Sequence, residues 1–156
     1  MKSVLVSIQP KWCELIANGN KTVEVRKTAP KLETPFKVYI YQTKKKWVYR
    51  LLEKLGLYQG KVIGEFVCAR ISQLNSYCLD GEDRLKDTTC LDDAELMDYV
   101  GYLDKTFYLW HISDLRIYDK PKELENFLIT RRSGLGLVKL YLSRPPQSWC
   151  YVEVKP

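Results

Sequence analysis

The stretch Gly19-Asn20-Lys21-Thr22-Val23-Glu24-Val25-Arg26 decides how the rest of the chain is read. From Lys21 to Lys27 the residues alternate, so that Val23 and Val25 point one way while Thr22, Glu24 and Arg26 point the other, which is the period of a strand. The polar face of that strand carries a carboxylate and a guanidinium. Strict alternation sets Lys21 on the face opposite Glu24, an argument that lapses if Lys21 lies in the turn before the strand begins. Taken alone, Glu24 and Arg26 also read as an ion pair spaced i, i+2 on an exposed strand, an ordinary feature that contributes little.

Upstream, Val4 to Ile8 is a short apolar strand, and Pro10 suits the first turn of a helix, where its missing N–H costs nothing. Trp12, Leu15 and Ile16 then share a helical face, and Gly19 is placed to cap it in a left-handed conformation. Downstream, a Pro-bounded connection (Pro30 to Pro35) leads to a strand over Phe36 to Thr43. A basic amphipathic helix is predicted from Lys44 to Leu55, stopped by Gly56. Lys61 to about Ser72 reads as a strand in which Glu65 is a lone acid on an apolar face. Asp80 to Thr89 has no apolar period and is expected as an exposed loop. Asp92 with Glu95 resembles a capping box opening a helix to Val100. Phe107 to Tyr118 is a strand holding Trp110 and His111. Lys122 to Phe127 is expected as a helical turn, Gly134 and Gly136 mark a flexible turn, and Trp149 to Val154 is a last strand after Pro145 and Pro146. The expected class is α+β, with about six strands and helices packed around them. Six short strands are enough to close a small barrel and so remove exposed edges, although periodicity does not separate a barrel from an open mixed sheet.

At 156 residues, 46% apolar and 28% charged, the chain fits a single domain over 1–156 rather than a disordered, collagenous or coiled-coil protein. It holds no apolar run of membrane-spanning length, and Lys2 is followed by no secretory h-region, so a cytoplasmic protein without membrane contact is expected. The five cysteines, Cys13, Cys68, Cys78, Cys90 and Cys150, form no CxxC pair; they read as reduced thiols, with no metal site and no cofactor. Charge is uneven: fourteen basic and five acidic residues in 1–70, five and eleven in 71–120, six and three in 121–156. A basic region attracts phosphates, while four Trp and eleven Tyr supply rings for base stacking. An ordinary solvated surface is the plainer reading of the same counts.

Residues 19–26 resemble the G-x-K-x-x-E-x-R signature of the ASCH domain, a member of the PUA-like superfamily of small β-barrels. The resemblance extends to Ser7-Ile8-Gln9-Pro10 and Trp12, to Trp110-His111-Ile112, and to Arg144-Pro145-Pro146-Gln147-Ser148-Trp149. It leaves 44–56, the basic helix, and 78–104, the acidic loop and helix, as elaborations. It implies a cleft beside the first helix that binds RNA or a nucleotide-like ligand. The expected binding residues are Ser7, Gln9, Trp12, Lys21, Glu24, Arg26, Trp110, Ser148 and Trp149, with Lys44 and Lys45 added from the basic helix. Arg26 can fork onto a phosphate or base edge, Lys21 can act as a point charge, and Glu24 can accept from a base amino group. Trp110 and Trp149 read either as core or as a stacking wall.

Some small members of that family are amidohydrolases that deacylate a modified cytidine, and others have been described as ribonucleases. The resemblance to the amidohydrolases implies a motif Lys, a Thr two residues before the motif Arg, and a separate Glu. Here the position two before Arg26 is Glu24, so that hydroxyl is missing. A metal-independent hydrolase acting on RNA or acylated cytidine, with Lys21 and Glu24 catalytic, is therefore the alternative to a binding domain. His111 is either a structural residue or an acid–base group. A second alternative is a protein-interaction module using the acidic 80–98 region.

Overall fold

In the computed structural model, residues 2–44, 60–79, 83–102 and 104–156 are described. The basic helix expected over Lys44 to Leu55, including Lys45, lies almost wholly outside them, as does the Asp80 to Glu82 start of the acidic loop. Among the described residues there are eight strands: β1 (Ser3–Ile8), β2 (Val23–Arg26), β3 (Phe36–Gln42), β4 (Lys61–Asn75), β5 (Thr106–Lys122), β6 (Phe127–Ser133), β7 (Gly136–Tyr141) and β8 (Trp149–Val154). Three short helices accompany them: α1 (Pro10–Ala17), α2 (Asp83–Thr89) and α3 (Asp93–Val100).

The strands form one sheet in the order β2-β5-β4-β3-β1-β8-β6-β7. β1 runs parallel to β3, with Val4 opposite Val38 and Ile8 opposite Gln42. β1 runs antiparallel to β8, with Ser3 opposite Val152. This corrects the expectation of an α+β barrel of about six strands: the fold is mostly sheet, and the sheet is open. The six expected strands are present, but β6 and β7 extend the sheet by a hairpin where the sequence suggests only a flexible turn. The case for closure rests on the need to protect edges, and the edges are handled otherwise. β2 is only four residues long with all four buried, and β7 carries Lys139, a charge that discourages edge-to-edge pairing.

Two further elements differ from expectation. Asp83–Thr89 is a helix, not a loop, because its one inward apolar residue, Leu85, is buried with Val23, Val25, Leu96, Val100, Phe107 and Leu109. A single apolar contact leaves no period to read. β5 spans seventeen residues, well past the expected Tyr118, and at its crossing with β4 a Cβ on Gly64 would meet the Arg116 carbonyl at 2.5 Å, so the strands approach this closely only with glycine there. The α3 capping box is as expected, with Asp92 Oδ1 accepting from the Glu95 N–H at 2.7 Å. The expected Lys122 to Phe127 turn is a 3-10 turn over Leu124–Asn126, with Leu124 and Phe127 buried.

The chain divides into two compact units, one of residues 1–13, 37–66 and 116–156, the other of 14–36 and 67–115. The first has a core of Leu5, Tyr39, Tyr41, Val62, Leu124, Phe127, Leu142 and Val152; within it the Tyr39 and Phe127 rings meet edge-on at 4.8 Å. The second has the core around Val23, Val25 and Leu109 that holds α2 and α3. Among the described residues no helix is long and apolar enough to cross a membrane.

Candidate functional site

Gly19 takes φ 81°, and its N–H bonds the Ile16 carbonyl at 3.0 Å, ending α1 as its position predicts. The Lys21 N–H then bonds the Leu15 carbonyl and the Thr22 N–H the Thr88 carbonyl, each at 2.9 Å. Lys21 therefore lies before β2 starts at Val23, and the strict-alternation argument against its joining Glu24 lapses.

All three motif side chains are buried: Lys21 is 3% exposed, Glu24 6% and Arg26 7%. Arg26 Nη2 lies 2.8 Å from Glu24 Oε1, and Lys21 Nζ lies 3.4 Å from Glu24 Oε2. Lys21 Nζ also donates to the Thr89 carbonyl at the end of α2, at 2.6 Å. The reading of Glu24 and Arg26 as a solvated surface pair is thus replaced by a buried three-residue ionic cluster. Burying these charges is tolerated because each carboxylate oxygen meets a cation and the ammonium meets a carbonyl.

Spacing reveals neither Thr89 nor Tyr99 as part of this cluster. Tyr99, near the end of α3, accepts a hydrogen bond from the Arg26 guanidinium and another from the Lys27 N–H; burial nonetheless pushes its hydroxyl pKa up. The Lys27 ammonium lies 5.3 Å over the same ring. No signal in the sequence links Tyr99 to Arg26, because the contact depends on how α3 packs.

The valine face of β2 is a separate environment. Val23 is paired with His111 and Glu24 with Trp110 across the β2–β5 ladder, so alternation sets His111 and the Glu24 carboxylate on opposite faces. His111 lines a cavity of about 370 Å³ with Thr22, Val23, Leu85, Thr88, Leu109 and Ile112. Its Nε2 lies 2.9 Å from Ser72 Oγ, and burial together with the nearby Arg70 holds its pKa below the usual histidine value. Trp110, on the Glu24 side, is wholly buried and packs edge-on against Phe36 at 6.2 Å.

The other expected residues that the structure describes, Ser7, Gln9, Trp12, Lys44, Ser148 and Trp149, lie in the first unit. Ser7 is buried and its hydroxyl donates to the Pro146 carbonyl at 2.6 Å, while its N–H bonds the Ser148 carbonyl at 2.9 Å. The Gln9 carbonyl accepts from the Trp12 and Cys13 N–H groups at the start of α1. Trp12 is half-buried with the Lys11 ammonium 4.3 Å over its ring. Ser148 and Trp149 are half-buried, and the Trp149 ring meets Tyr151 edge-on at 5.4 Å. Lys44 is exposed. Glu65 is not a lone acid: Lys37 Nζ lies 2.9 Å from one of its oxygens and the Tyr118 hydroxyl donates to the other. Among the described residues no cluster of His, Cys, Asp and Glu could hold a metal ion.

An open, mostly β domain of this kind is, at a coarse level, of the PUA-like class. Within that class the chain belongs to the ASCH domain family, whose model matches residues 6–123. No curated protein matches it. Among solved structures it resembles the ASCH protein of Zymomonas mobilis, at 21% identity and a TM-score of 0.67 over 97% of this chain and 87% of that one. It is also similar to a point mutant of the Zymomonas mobilis protein in which a tyrosine is replaced by phenylalanine, at 19% identity and a TM-score of 0.61 over 98% of this chain and 91% of the other. Identities this low speak to the fold alone.

Proposed function

We propose that the protein binds RNA or a modified nucleoside through the Lys21–Glu24–Arg26 cluster. The observation that carries this reading is the burial of the cluster. Two cations and a carboxylate, each nearly out of water and fixed by the others, by Thr89 and by Tyr99, are costly for a fold that apolar residues can fill more cheaply. Such a set suits a ligand that presents a phosphate and a base edge together: the planar guanidinium can fork onto two phosphate oxygens and the carboxylate accepts from an amino group. Binding is better supported than hydrolysis, because the position two before Arg26 offers no hydroxyl nucleophile.

The test is fluorescence anisotropy with a labelled single-stranded RNA and, in competition, acylated cytidine. Arg26→Ala is expected to weaken binding about tenfold or more, the scale of a lost charge-assisted hydrogen bond. Circular dichroism is used to choose a temperature at which both proteins are folded. Equal affinity of the folded variant and the parent overturns the assignment. Deacylation or strand scission by the parent that disappears in Glu24→Gln would replace it with the hydrolase reading.

A further inference from the structure

The hairpin of β6 and β7 runs out past the strand it joins. β6 pairs with β8 only at Phe127 and Leu128, whereas β6 and β7 stay paired as far as Ser133 opposite Gly136. From Thr130 to Tyr141 every residue is exposed. Leu135 at the tip is wholly exposed, and Leu137, Val138, Leu140 and Tyr141 on β7 are exposed as well. The segment 127–141 holds Arg131, Arg132 and Lys139 and no acidic residue. An exposed apolar patch with one sign of charge marks an interaction surface.

The two faces of the ribbon differ. Directly opposed residues share a face, so the pairs Thr130 with Lys139 and Arg132 with Leu137, together with Tyr141, lie on one. Ile129 with Leu140 and Arg131 with Val138 lie on the other, and Ile129 is packed onto the core. On the first face the Lys155 ammonium sits 5.2 Å over the Tyr141 ring. Lys139 there pairs with Glu153, and both side chains reach solvent, so the ammonium can exchange that partner for another anion at little cost.

We propose that the face bearing Arg132, Lys139 and Tyr141 docks single-stranded RNA, an inference that rests on the RNA reading above. Unpaired RNA presents a line of phosphates and flat apolar base faces at once. Arg132 and Lys139 take the phosphates, Tyr141 stacks on a base, and Leu137 lies beside it. A second copy fits less well, because pairing two β7 edges would bring two acid-free cationic hairpins together.

The experiment compares a labelled 12-nucleotide oligouridine bound by the parent, by Arg132→Ala/Lys139→Ala, by Tyr141→Ala and by Arg131→Ala on the opposite face, over a salt series. Losing two phosphate contacts should reduce the salt slope of log affinity by about 1.4 in the double variant. Tyr141→Ala should weaken binding roughly fivefold or more, and Arg131→Ala should leave the slope near that of the parent. An unchanged slope in the double variant, with the parent binding and Arg26→Ala defective, overturns the hairpin assignment alone. Absence of oligouridine binding by a parent that still binds acylated cytidine through Arg26 overturns the hairpin assignment alone, and absence of both overturns both readings. Capture of anionic phosphatidylserine vesicles in place of RNA, or a dimer in sedimentation that Leu137→Ser dissociates, also overturns the hairpin assignment by giving it another occupant.

Discussion

The Lys21 ammonium lies 3.4 Å from a Glu24 carboxylate oxygen although the two residues have opposite parity. The contact exists because β2 starts only at Val23, and Lys21 is held in the preceding turn by its N–H bond to the Leu15 carbonyl. Helix termination at Gly19 and assembly of the ionic cluster are therefore one local event. The helix stops, the chain turns, and the ammonium is delivered beside a carboxylate already opposed by Arg26.

Glu24→Leu should be far more damaging than removal of the whole cluster. The single variant leaves two cations buried beside one another, a loss of about 3 to 5 kcal/mol for a broken buried pair. Lys21→Met/Glu24→Leu/Arg26→Met removes the charges together and should recover much of that loss while binding no RNA. Urea midpoints and anisotropy on both variants check this. A triple variant less stable than Glu24→Leu would show that the cluster is needed for the fold itself.

Glu65 gives an acid-side signature. Burial pushes its carboxyl pKa up, but the Tyr118 hydroxyl and the Lys37 ammonium outweigh that and hold it below the ordinary 4.5. A depressed carboxylate contributes stability that is present above the unfolded value and lost as pH falls through the folded one. Glu65→Gln should therefore lower stability at neutral pH and flatten the decline below about pH 4.5, read from urea midpoints across that range. A parallel acid decline in parent and variant would remove Glu65 as its source.

The site is more legible in the sequence than the sheet, for a physical reason. A motif of short spacing fixes local geometry, so Gly19 as a cap, Val23 and Val25 as an inward pair, and Glu24 beside Arg26 can all be read directly. Burial of the cluster cannot, because its partners Thr89 and Tyr99 come from α2 and α3, far along the chain. The hairpin escapes a reading by period because its apolar residues are exposed, so no buried pattern separates inside from outside. Its signal is instead the Gly134-Leu135 turn between two runs of strand formers. Without those two strands the count stays at six, and six strands make closure look sufficient. Asp83–Thr89 is equally hard to read because Leu85 alone anchors it from inside.

Cys68 and Cys150 should be poor nucleophiles in the folded protein. Burial pushes the Cys68 thiol up to about 12, against opposing bonds from the His111 and Arg70 backbone, and burial pushes Cys150 up to about 11. At about pH 8 almost no thiolate is present at either, and thiolate is the reactive form. Iodoacetamide followed by peptide mass spectrometry should find both unmodified in native protein and alkylated in urea. Alkylation of native Cys68 at the rate of a free thiol would contradict its environment.

His111 predicts a second pH dependence, of distinct range, and as the chain's single histidine it gives an unmixed readout. Its folded pKa is lowered from the ordinary 6.5 by burial first and by Arg70 second. The unfolded chain therefore takes up this proton before the folded one does. Stability should fall as pH drops through about 6.5 and level off below the folded value, where both states carry the proton, the total loss being set by the difference between the unfolded and folded pKa. His111→Gln keeps a polar partner for Ser72 and has no proton to gain, so its urea midpoint should stay flat over that interval while the parent's declines. Because the ring and Glu24 sit on opposite faces of β2, RNA affinity through Arg26 should respond little to this substitution. A variant that loses RNA binding as completely as Arg26→Ala would place the ligand in the Thr22–Thr88–His111 cavity instead.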